Sequence, residues 1–368
     1  MNILVIGNGF DLAHGLPTRY MDFLEFIEEY KKYKNDLLNE SDYIVCFKGL
    51  KESKPEIYNE INDLINKNRW FHHFLKLKEY RSLNNRQTWI DFESEISKVI
   101  QTLDKVKNRF ENDSYSEFNQ VQLDEYEFEV LQYILEESKD ISVYDCVFTL
   151  DQVEMYIQEL MIDLNRLIRC LEIYLLYYVK PKYDKSKVKR FINDLNIERV
   201  LTFNYTDTYE CLYNTQKVDF NYIHGRINEE HDLNTCNLVL GIDEYLDNNE
   251  KDKKVEFIQF KKFYQRIYKG TGCLYKDWLR EYKKKVFVNK QGPNELRLFI
   301  IGHSLDVTDK DILKELILCE WINVTIYYHN QEALGRMIAN LVKVIGEDEL
   351  IRRTGGSNAS IKFIQQPE

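Results

Sequence analysis

The chain has 368 residues, of which 44% are hydrophobic and 30% are charged, a composition that excludes fibrous and disordered proteins. The net charge of −11 disfavours nucleic-acid binding over the whole surface, because polyphosphate and an acidic protein repel each other. The seven cysteines are scattered without a Cys-x-x-Cys pair, which favours reduced thiols over a disulfide framework or a zinc knuckle. No signal peptide and no apolar run of roughly 20 residues is visible, so we expect a cytoplasmic protein without membrane contact.

In chain order, the first predicted element is a buried parallel strand at residues 3–6, a short apolar run that ends in glycine. Helical periodicity then dominates to about residue 196. The clearest helix begins near Thr149, which has capping-box spacing with Gln152, and its apolar face continues until Pro181 ends the helix. Further helices are predicted at residues 20–38, 57–80 and 89–103.

From about residue 197, short apolar or β-branched runs alternate with helical stretches. The predicted strands are at residues 199–203, 220–223, 238–242, 298–301, 324–328 and 361–364, and two predicted helices are at 309–319 and 331–345. Alternation of this kind indicates an α/β fold with a doubly wound, mostly parallel, Rossmann-like sheet. We therefore predict a nucleotide-binding α/β domain of residues 1–19 and 196–368, interrupted by a helical insertion domain of residues 20–195.

The turn after the first strand is the first candidate binding site. In such a turn glycine lets the backbone approach a phosphate, and the following helix offers N–H groups and a positive dipole end. The candidate nucleotide-binding residues are Gly7, Asn8, Gly9, Phe10 and Asp11. A tight strand–helix turn without a ligand is the alternative interpretation.

Three later strand ends carry further polar residues. Thr202 and Asn204 end one strand, where open α/β sheets bind ligands, although an Asx turn or a helix cap explains them equally well. His224 ends the next strand and is a candidate base, against the commoner role of a surface or hydrogen-bonded histidine. Gly302 and Ser304 follow a third strand, where Ser304 either caps a helix or binds a phosphate.

Three other features allow a structural explanation. Residues 251–290 contain 13 Lys and Arg but only four Asp and Glu, and aromatic residues are interleaved with them. This pattern suits nucleic-acid binding. It also fits amphipathic helices with aromatic core faces, which is the interpretation we favour. Asp91 and Glu93 lie two residues apart and do not share one helix face, so solvated carboxylates are favoured over a catalytic pair. No Cys/His cluster has metal-binding spacing, and we predict no metal.

Taken in order, several of these segments resemble the AbiH-type bacteriophage abortive-infection proteins. The resemblance runs nearly from end to end and rests mainly on residues 7–20, which read GNGFDLAHGLPTRY. The other matching segments are residues 89–93, 202–205, 222–225 and 302–305. The resemblance implies an anti-phage defence protein.

The same segments are similar to a degenerate sirtuin site, of the kind found in sirtuin-like NAD hydrolases of phage defence. Residues 7–9 and 15–17 match the sirtuin Gly-Ala-Gly turn and its Gly-Ile-Pro, and Gly302 and Ser304 match a nucleotide-binding Gly-Thr-Ser-Leu. Asn204 and His224 match the catalytic Asn and His. Asp11 stands in place of the serine of the first motif, and the zinc-binding Cys quartet is missing, which disfavours protein deacylation.

These likenesses imply NAD, or a related nucleotide, as substrate or ligand, and we expect hydrolysis of the bond between nicotinamide and ribose. Two alternatives stay open: a catalytically silent nucleotide-binding sensor or assembly switch, and a nucleic-acid-binding effector that uses residues 251–290. Further expected partners are a phage-derived trigger and a second copy of the chain. We predict that His224→Ala lowers the rate by about 10²–10⁴-fold.

Overall fold

The computed structural model describes residues 1–35, 41–84, 90–112, 120–136, 147–213, 215–246, 255–289 and 296–367. The chain forms two compact units. The α/β unit comprises Met1–Thr18, Val179–Ile227 and Lys269–Glu368, and the helical unit comprises Arg19–Tyr178 and Asn228–Tyr268. Residues 179–195 therefore belong to the same unit as the sheet, and residues 228–268 belong to the helical unit. Within the described ranges, no helix combines the length and the apolarity needed to cross a membrane.

The α/β unit is built around one parallel sheet of six strands. They are β1 (Asn2–Ile6), β4 (Arg199–Thr202), β5 (Asp219–Tyr222), β6 (Leu296–Ile301), β7 (Ile322–Tyr328) and β8 (Ile361–Gln365). The order across the sheet is β5-β4-β1-β6-β7-β8, and every neighbouring pair is parallel. Counted along the chain, the strands of this sheet thus take the doubly wound order 3-2-1-4-5-6, which confirms the predicted Rossmann-like α/β fold.

Alternate residues of the central strands enter two separate cores, because successive side chains of a strand point to opposite faces of a sheet. Ile3 and Val5 pack in one core, and Leu4 and Ile6 pack in the other. The helices of this unit are α1 (Asn8–Ala13), α9 (Arg190–Asn193), α10 (Thr208–Leu212), α12 (Leu274–Asn289), α13 (Lys310–Ile317), α14 (Gln331–Ile345) and α15 (Glu347–Thr354). Burial on both faces explains why the central strand β1 is a continuous apolar run from Ile3 to Ile6.

The helical unit consists mainly of α-helices. They are α2 (Tyr20–Lys34), α3 (Asp42–Ser53), α4 (Pro55–Ile65), α5 (Arg69–Leu83), α6 (Phe92–Asn112), α7 (Glu125–Glu136), α8 (Leu150–Tyr174) and α11 (Lys262–Tyr268). A two-stranded antiparallel sheet joins β2 (Gln120–Gln122) to β3 (Val147–Thr149). The capping box predicted at Thr149 and Gln152 is present at the start of α8.

Two predicted elements are wrong. The helix predicted at residues 57–80 is two helices, because Lys67 has a φ of 52° and Asn68 Oδ1 accepts hydrogen bonds from the N–H groups of Trp70 and Phe71, which starts α5. The strand predicted at residues 238–242 is not a strand. Its Leu240 exchanges two hydrogen bonds with the side chain of Gln265 and joins no sheet.

Candidate functional site

The candidate residues come together at the carboxyl ends of β1, β4, β5 and β6. Ile6 pairs with Thr202 on one side and with Ile301 on the other, and Thr202 pairs with Tyr222. The four loops that follow these residues therefore leave one edge of the sheet side by side. The strand order reverses between β1 and β6, and open α/β sheets bind ligands at such a switch point.

The two glycine turns pack directly against each other. Gly9 N–H donates to Gly302 O at 2.8 Å, and Gly7 N–H donates to Ile301 O at 3.3 Å. Gly302 has a φ of 68°, and a Cβ at this position would lie 2.0 Å from the backbone nitrogen of Phe10. Glycine is therefore required here for the close approach of two backbones.

This packing limits what the first turn offers to a ligand. The N–H groups of Gly7, Gly9 and Phe10 all donate within the protein, and the Phe10 ring is buried in the core. Asn8 is exposed, and its side chain donates to Thr18 O at 3.2 Å. Ser304 is exposed in the neighbouring turn. The binding of phosphates by this turn stays a prediction, and among these residues Asn8 and Ser304 are the exposed ones.

Asp11 is a buried carboxyl group on α1, with 1% of the residue exposed. Its pKa is raised to about 6, mainly by burial and also by the negative charge of Asp207, whereas side-chain hydrogen bonds with Thr206, Thr208 and Asn204 oppose the increase. The Thr206 hydroxyl donates to Asp11 Oδ2 at 2.5 Å. Asp11 therefore holds a proton at a higher pH than an ordinary aspartate does.

Asn204 lies in the loop after β4, with 6% of the residue exposed. Its backbone N–H donates to Thr202 Oγ1 at 3.0 Å, and the Thr202 hydroxyl faces the Asn204 carbonyl at 3.3 Å. Thr202 thus shapes the loop, and its predicted contact with the nucleotide stays a prediction. The Asn204 side chain is not used in this turn.

Three buried polar atoms on α1, in the loop after β4 and at the start of α10 make no well-formed hydrogen bond among the described residues, although the Thr208 and Asn204 side chains interact with Asp11 and lower its pKa. They are Asp11 Oδ1, Asn204 Nδ2 and Thr208 Oγ1. Buried polar atoms are nearly always hydrogen-bonded in folded proteins, so a group of unsatisfied atoms requires an explanation. A bound ligand or an ordered water would supply the missing partners.

His224 is buried after β5 in a cluster that sequence reasoning did not find. Its Nε2 lies 3.4 Å from Asp309 Oδ1, and the Nε2 of His303 lies 3.5 Å from the other oxygen of the same carboxylate. The Phe203 ring contacts both imidazoles, with centroid distances of 5.4 Å to His224 and 4.3 Å to His303. Asp309 ends a 3₁₀ turn before α13. The sequence signal was the histidine between Gly302 and Ser304, which we had not treated as a site residue.

Asp207, one residue beyond the Asn204 loop motif, has a different environment. Burial by itself would raise its pKa, but a hydrogen bond from Lys180 and the charges of Lys180 and Arg226 lower the pKa overall. Lys180 Nζ lies 2.7 Å and Arg226 Nη2 lies 3.3 Å from Asp207 Oδ2. The Tyr183 hydroxyl donates to Oδ1 at 3.1 Å. Asp207 is therefore an ionised, paired group.

The other features singled out in the sequence have structural roles. Most of the aromatic residues described in the basic stretch are core residues, and the buried ones are Phe257, Phe260, Tyr275, Trp278 and Tyr282. Asp91 Oδ1 accepts from Glu93 N–H at 3.1 Å at the start of α6, and Glu93 pairs with Lys262 at 2.8 Å. Trp89, the first residue of that segment, lies outside the described residues. Within the described part of the chain, no three His, Cys, Asp or Glu side chains are grouped to hold a metal ion.

Comparison with known proteins gives one match that covers most of the chain. The family model described as Bacteriophage abortive infection AbiH matches residues 3–328. The match includes β1, the helical unit, and the loops after β4, β5 and β6 that carry the residues above. A comparison with curated proteins found no match.

Proposed function

Because this chain belongs to the bacteriophage abortive infection AbiH family, we propose that its role in phage defence depends on NAD, or a related nucleotide, bound at the carboxyl end of its parallel sheet. We further propose that the protein hydrolyses the bond between nicotinamide and ribose. Loss of cellular NAD would stop growth of an infected cell. Asn204 and His224 are the proposed catalytic residues.

The observation that carries the proposal is the group of three buried polar atoms, on α1, in the loop after β4 and on α10, that make no well-formed hydrogen bond among the described residues. Asp11 Oδ1 is an acceptor when ionised, Asn204 Nδ2 is a donor, and Thr208 Oγ1 is both. A ribose offers hydroxyl groups, and nicotinamide offers an amide, which together match this mixture of donors and acceptors. The loops also lie at the position where doubly wound sheets bind nucleotides.

The proposed reaction consumes one water molecule. The bond between ribose C1′ and the nicotinamide nitrogen breaks, and its electron pair leaves with nicotinamide. Positive charge develops on the ribose, and the water oxygen bonds to C1′ while a proton passes to His224. Asn204 orients the ribose or the water through its amide. The products are ADP-ribose, nicotinamide and one proton.

The glycine turns offer fewer backbone N–H groups to the phosphates of a dinucleotide than the sequence indicates. The N–H groups of Gly7, Gly9 and Phe10 already donate within the protein. We therefore assign the phosphates to the exposed residues of the same turns, Asn8 and Ser304. The buried side chains of Asp11, Asn204 and Thr208 would then contact the ribose and the base.

The test is a chromatographic assay of nicotinamide release by purified protein, combined with calorimetry for NAD and ADP-ribose. We expect His224→Ala to lower the rate by about 10²–10⁴-fold while ADP-ribose still binds. Asn204→Ala should lower the rate on a similar scale. His329→Ala and Asn234→Ala are matched controls at exposed positions and should behave as the parent does.

The same assay separates the alternatives. Unchanged nicotinamide release by His224→Ala would remove this residue from the mechanism. Binding of NAD without release, in extracts of phage-infected cells as well as in purified protein, would favour a sensor that does not turn the nucleotide over. Cellular NAD should fall on infection in cells that express the parent and not in cells that express Asn204→Ala.

A further inference from the structure

The tautomer of His303 is determined by its backbone neighbour. Leu305 N–H donates to His303 Nδ1 at 2.9 Å, so this nitrogen is an acceptor and carries no hydrogen. In the neutral ring the hydrogen is then on Nε2, which lies 3.5 Å from Asp309 Oδ2. Leu305 has a φ of 58°, an uncommon conformation for a leucine, and its side chain is buried. His303 thus has Nδ1 as an acceptor and directs Nε2 toward Asp309.

Asp309 also lies beside a second imidazole. Its Oδ1 lies 3.4 Å from His224 Nε2, and all three side chains are at most 10% exposed. The buried His224 Nε2 makes no well-formed hydrogen bond among the described residues, and Asp309 is the acceptor that lies beside it. A carboxylate acceptor beside Nε2 favours the tautomer that carries a hydrogen on that atom. Both distances are longer than a short charge-assisted hydrogen bond, and contacts of this kind tighten when substrate binds.

We propose that Asp309 is a positioning residue that holds His224 through Nε2, so that Nδ1 of His224 is the atom that takes up the proton, and that His303 in turn holds Asp309. The inference rests on the proposed hydrolysis for its catalytic meaning. The arrangement itself, with His224 as base, Asp309 as orienting carboxylate and His303 as second donor, is inferred only from the contacts of these three side chains.

The proposed step moves one proton and creates one ion pair. When water bonds to the ribose, its proton passes to His224 Nδ1 and the ring becomes an imidazolium. The Nε2–H of that ring faces the negative charge of Asp309, which stabilises the imidazolium. Asp309 keeps its charge throughout, because the Nε2–H groups of His224 and His303 each face one of its oxygens. Phe203, between the two rings, contributes no charge.

The test combines nuclear magnetic resonance with kinetics. Long-range ¹H–¹⁵N spectra of ¹⁵N-histidine protein report which ring nitrogen carries the hydrogen, and His224→Gln and His303→Gln assign the signals. In the parent we expect the Nε2–H tautomer for both residues. In Asp309→Asn the pKa of His224 should fall by about 1, because loss of an anion disfavours the charged ring.

The kinetic expectation follows with the same sign. In Asp309→Asn, kcat should fall about 10²-fold with little change in KM, and the acid limb of the pH–rate profile should move to lower pH. His303→Gln should lower kcat by about 10-fold and keep the tautomer of His224. Asp277→Asn changes an exposed carboxylate in the same unit and should leave both readouts unchanged.

Two results would overturn the inference. One is an Nδ1–H tautomer for His224 in the parent, and the other is the same His224 pKa in the parent and in Asp309→Asn. If Asp309→Asn does not fold, the parent tautomer and His303→Gln still decide. If the spectra are as expected but the parent releases no nicotinamide, the arrangement stands and the proposed hydrolysis is the part that fails.

Discussion

Each unit of the molecule buries a charged side chain, and Arg169 of the helical unit and Asp11 of the α/β unit differ in how their polar atoms are hydrogen-bonded. In the helical unit, Arg169 is 2% exposed and donates to both oxygens of Glu60 and to Glu172. Glu172, which is fully buried, also accepts from His231 and from Asn228 N–H. In the α/β unit, Asp11 is equally buried and has one oxygen without a partner in the described chain.

The pKa values of Arg169 and Asp11 are both raised, but this favours the charged form of Arg169 and the neutral form of Asp11. Burial by itself would lower the pKa of Arg169, but Glu60 and Glu172 raise it overall, so its charged form is stabilised. Burial raises the pKa of Asp11 to about 6, so its charged form is disfavoured. The first cluster joins α4 to α8 and the loop after Asn228, whereas the second is the kind of perturbed group found at ligand sites. The difference separates charges that maintain the fold from one suited to a ligand.

The largest effect is expected at Arg169. Arg169→Met should lower the free energy of unfolding by about 3–5 kcal/mol, because it leaves a buried glutamate without its cation. Urea denaturation followed by circular dichroism measures this loss. Arg280→Met, which removes an exposed pair with Asp277, is the matched control and should cost less than about 1 kcal/mol. Equal losses in the two variants would break the comparison.

A smaller effect of opposite sign is expected at Asp11. The folded state holds the Asp11 proton to about pH 6, whereas the unfolded chain releases it near the ordinary aspartate pKa of 3.8. Between these values the folded state binds more protons, so this residue lowers stability as the pH rises. Asp11→Asn should therefore stabilise the protein by about 2–3 kcal/mol at pH 8 and by little near pH 4. Urea titrations across this range test the sign, and a variant less stable than the parent at pH 8 would contradict it.

The smallest effect is expected at Thr149, where the polar groups are local and satisfied. Its hydroxyl accepts from Gln152 N–H at 3.3 Å, and Gln152 Oε1 accepts from Thr149 N–H at 2.9 Å. Thr149→Ala should cost about 1 kcal/mol of stability, independent of pH between 5 and 8. Nicotinamide release should not change. A loss that follows the pH dependence of Asp11 would show that the two units are not distinguishable in this way.

Much of the fold could be predicted because its signals are local. The capping box at Thr149, the apolar runs of the sheet and the helix Gln331–Ile345 each depend on neighbouring residues in the sequence. The AbiH resemblance is confirmed, because its motifs are short segments of the same kind. The sirtuin likeness stays a prediction.

The wrongly predicted strand at residues 238–242 has a long-range cause. Leu238 to Ile242 is as apolar as the true strands, but Leu240 finds its partners on Gln265 and Ile242 N–H donates to Phe260 O at 2.8 Å. The sequence alone does not indicate that the Gln265 side chain, and not a neighbouring strand, will satisfy the backbone of Leu240. Helix α5 is different, since the Asn-Lys-Asn sequence at residues 66–68 is a local signal that could have been used.

The site was only partly predictable for a related reason. Asn204 and His224 end predicted strands, so topology brings them to one edge of the sheet. The partnership of His224 with Asp309 depends on the conformation of a 3₁₀ turn, and no spacing rule predicts it. For the two glycine turns the case is reversed. Their pattern is visible in the sequence, but their main contact in the structure is with each other.

The order of the sheet has a consequence for synthesis. β1 leaves the ribosome first, but its partners β4 and β6 follow only after the helical segments that separate them in sequence. At about 5–20 residues per second, the first strand waits roughly 10–40 s for β4. Asp309 is translated later still, so a nascent chain lacks a complete set of site residues until most of it has been made. A ribosome-bound fragment that ends before β6 therefore lacks the Gly302 turn, His303 and Asp309.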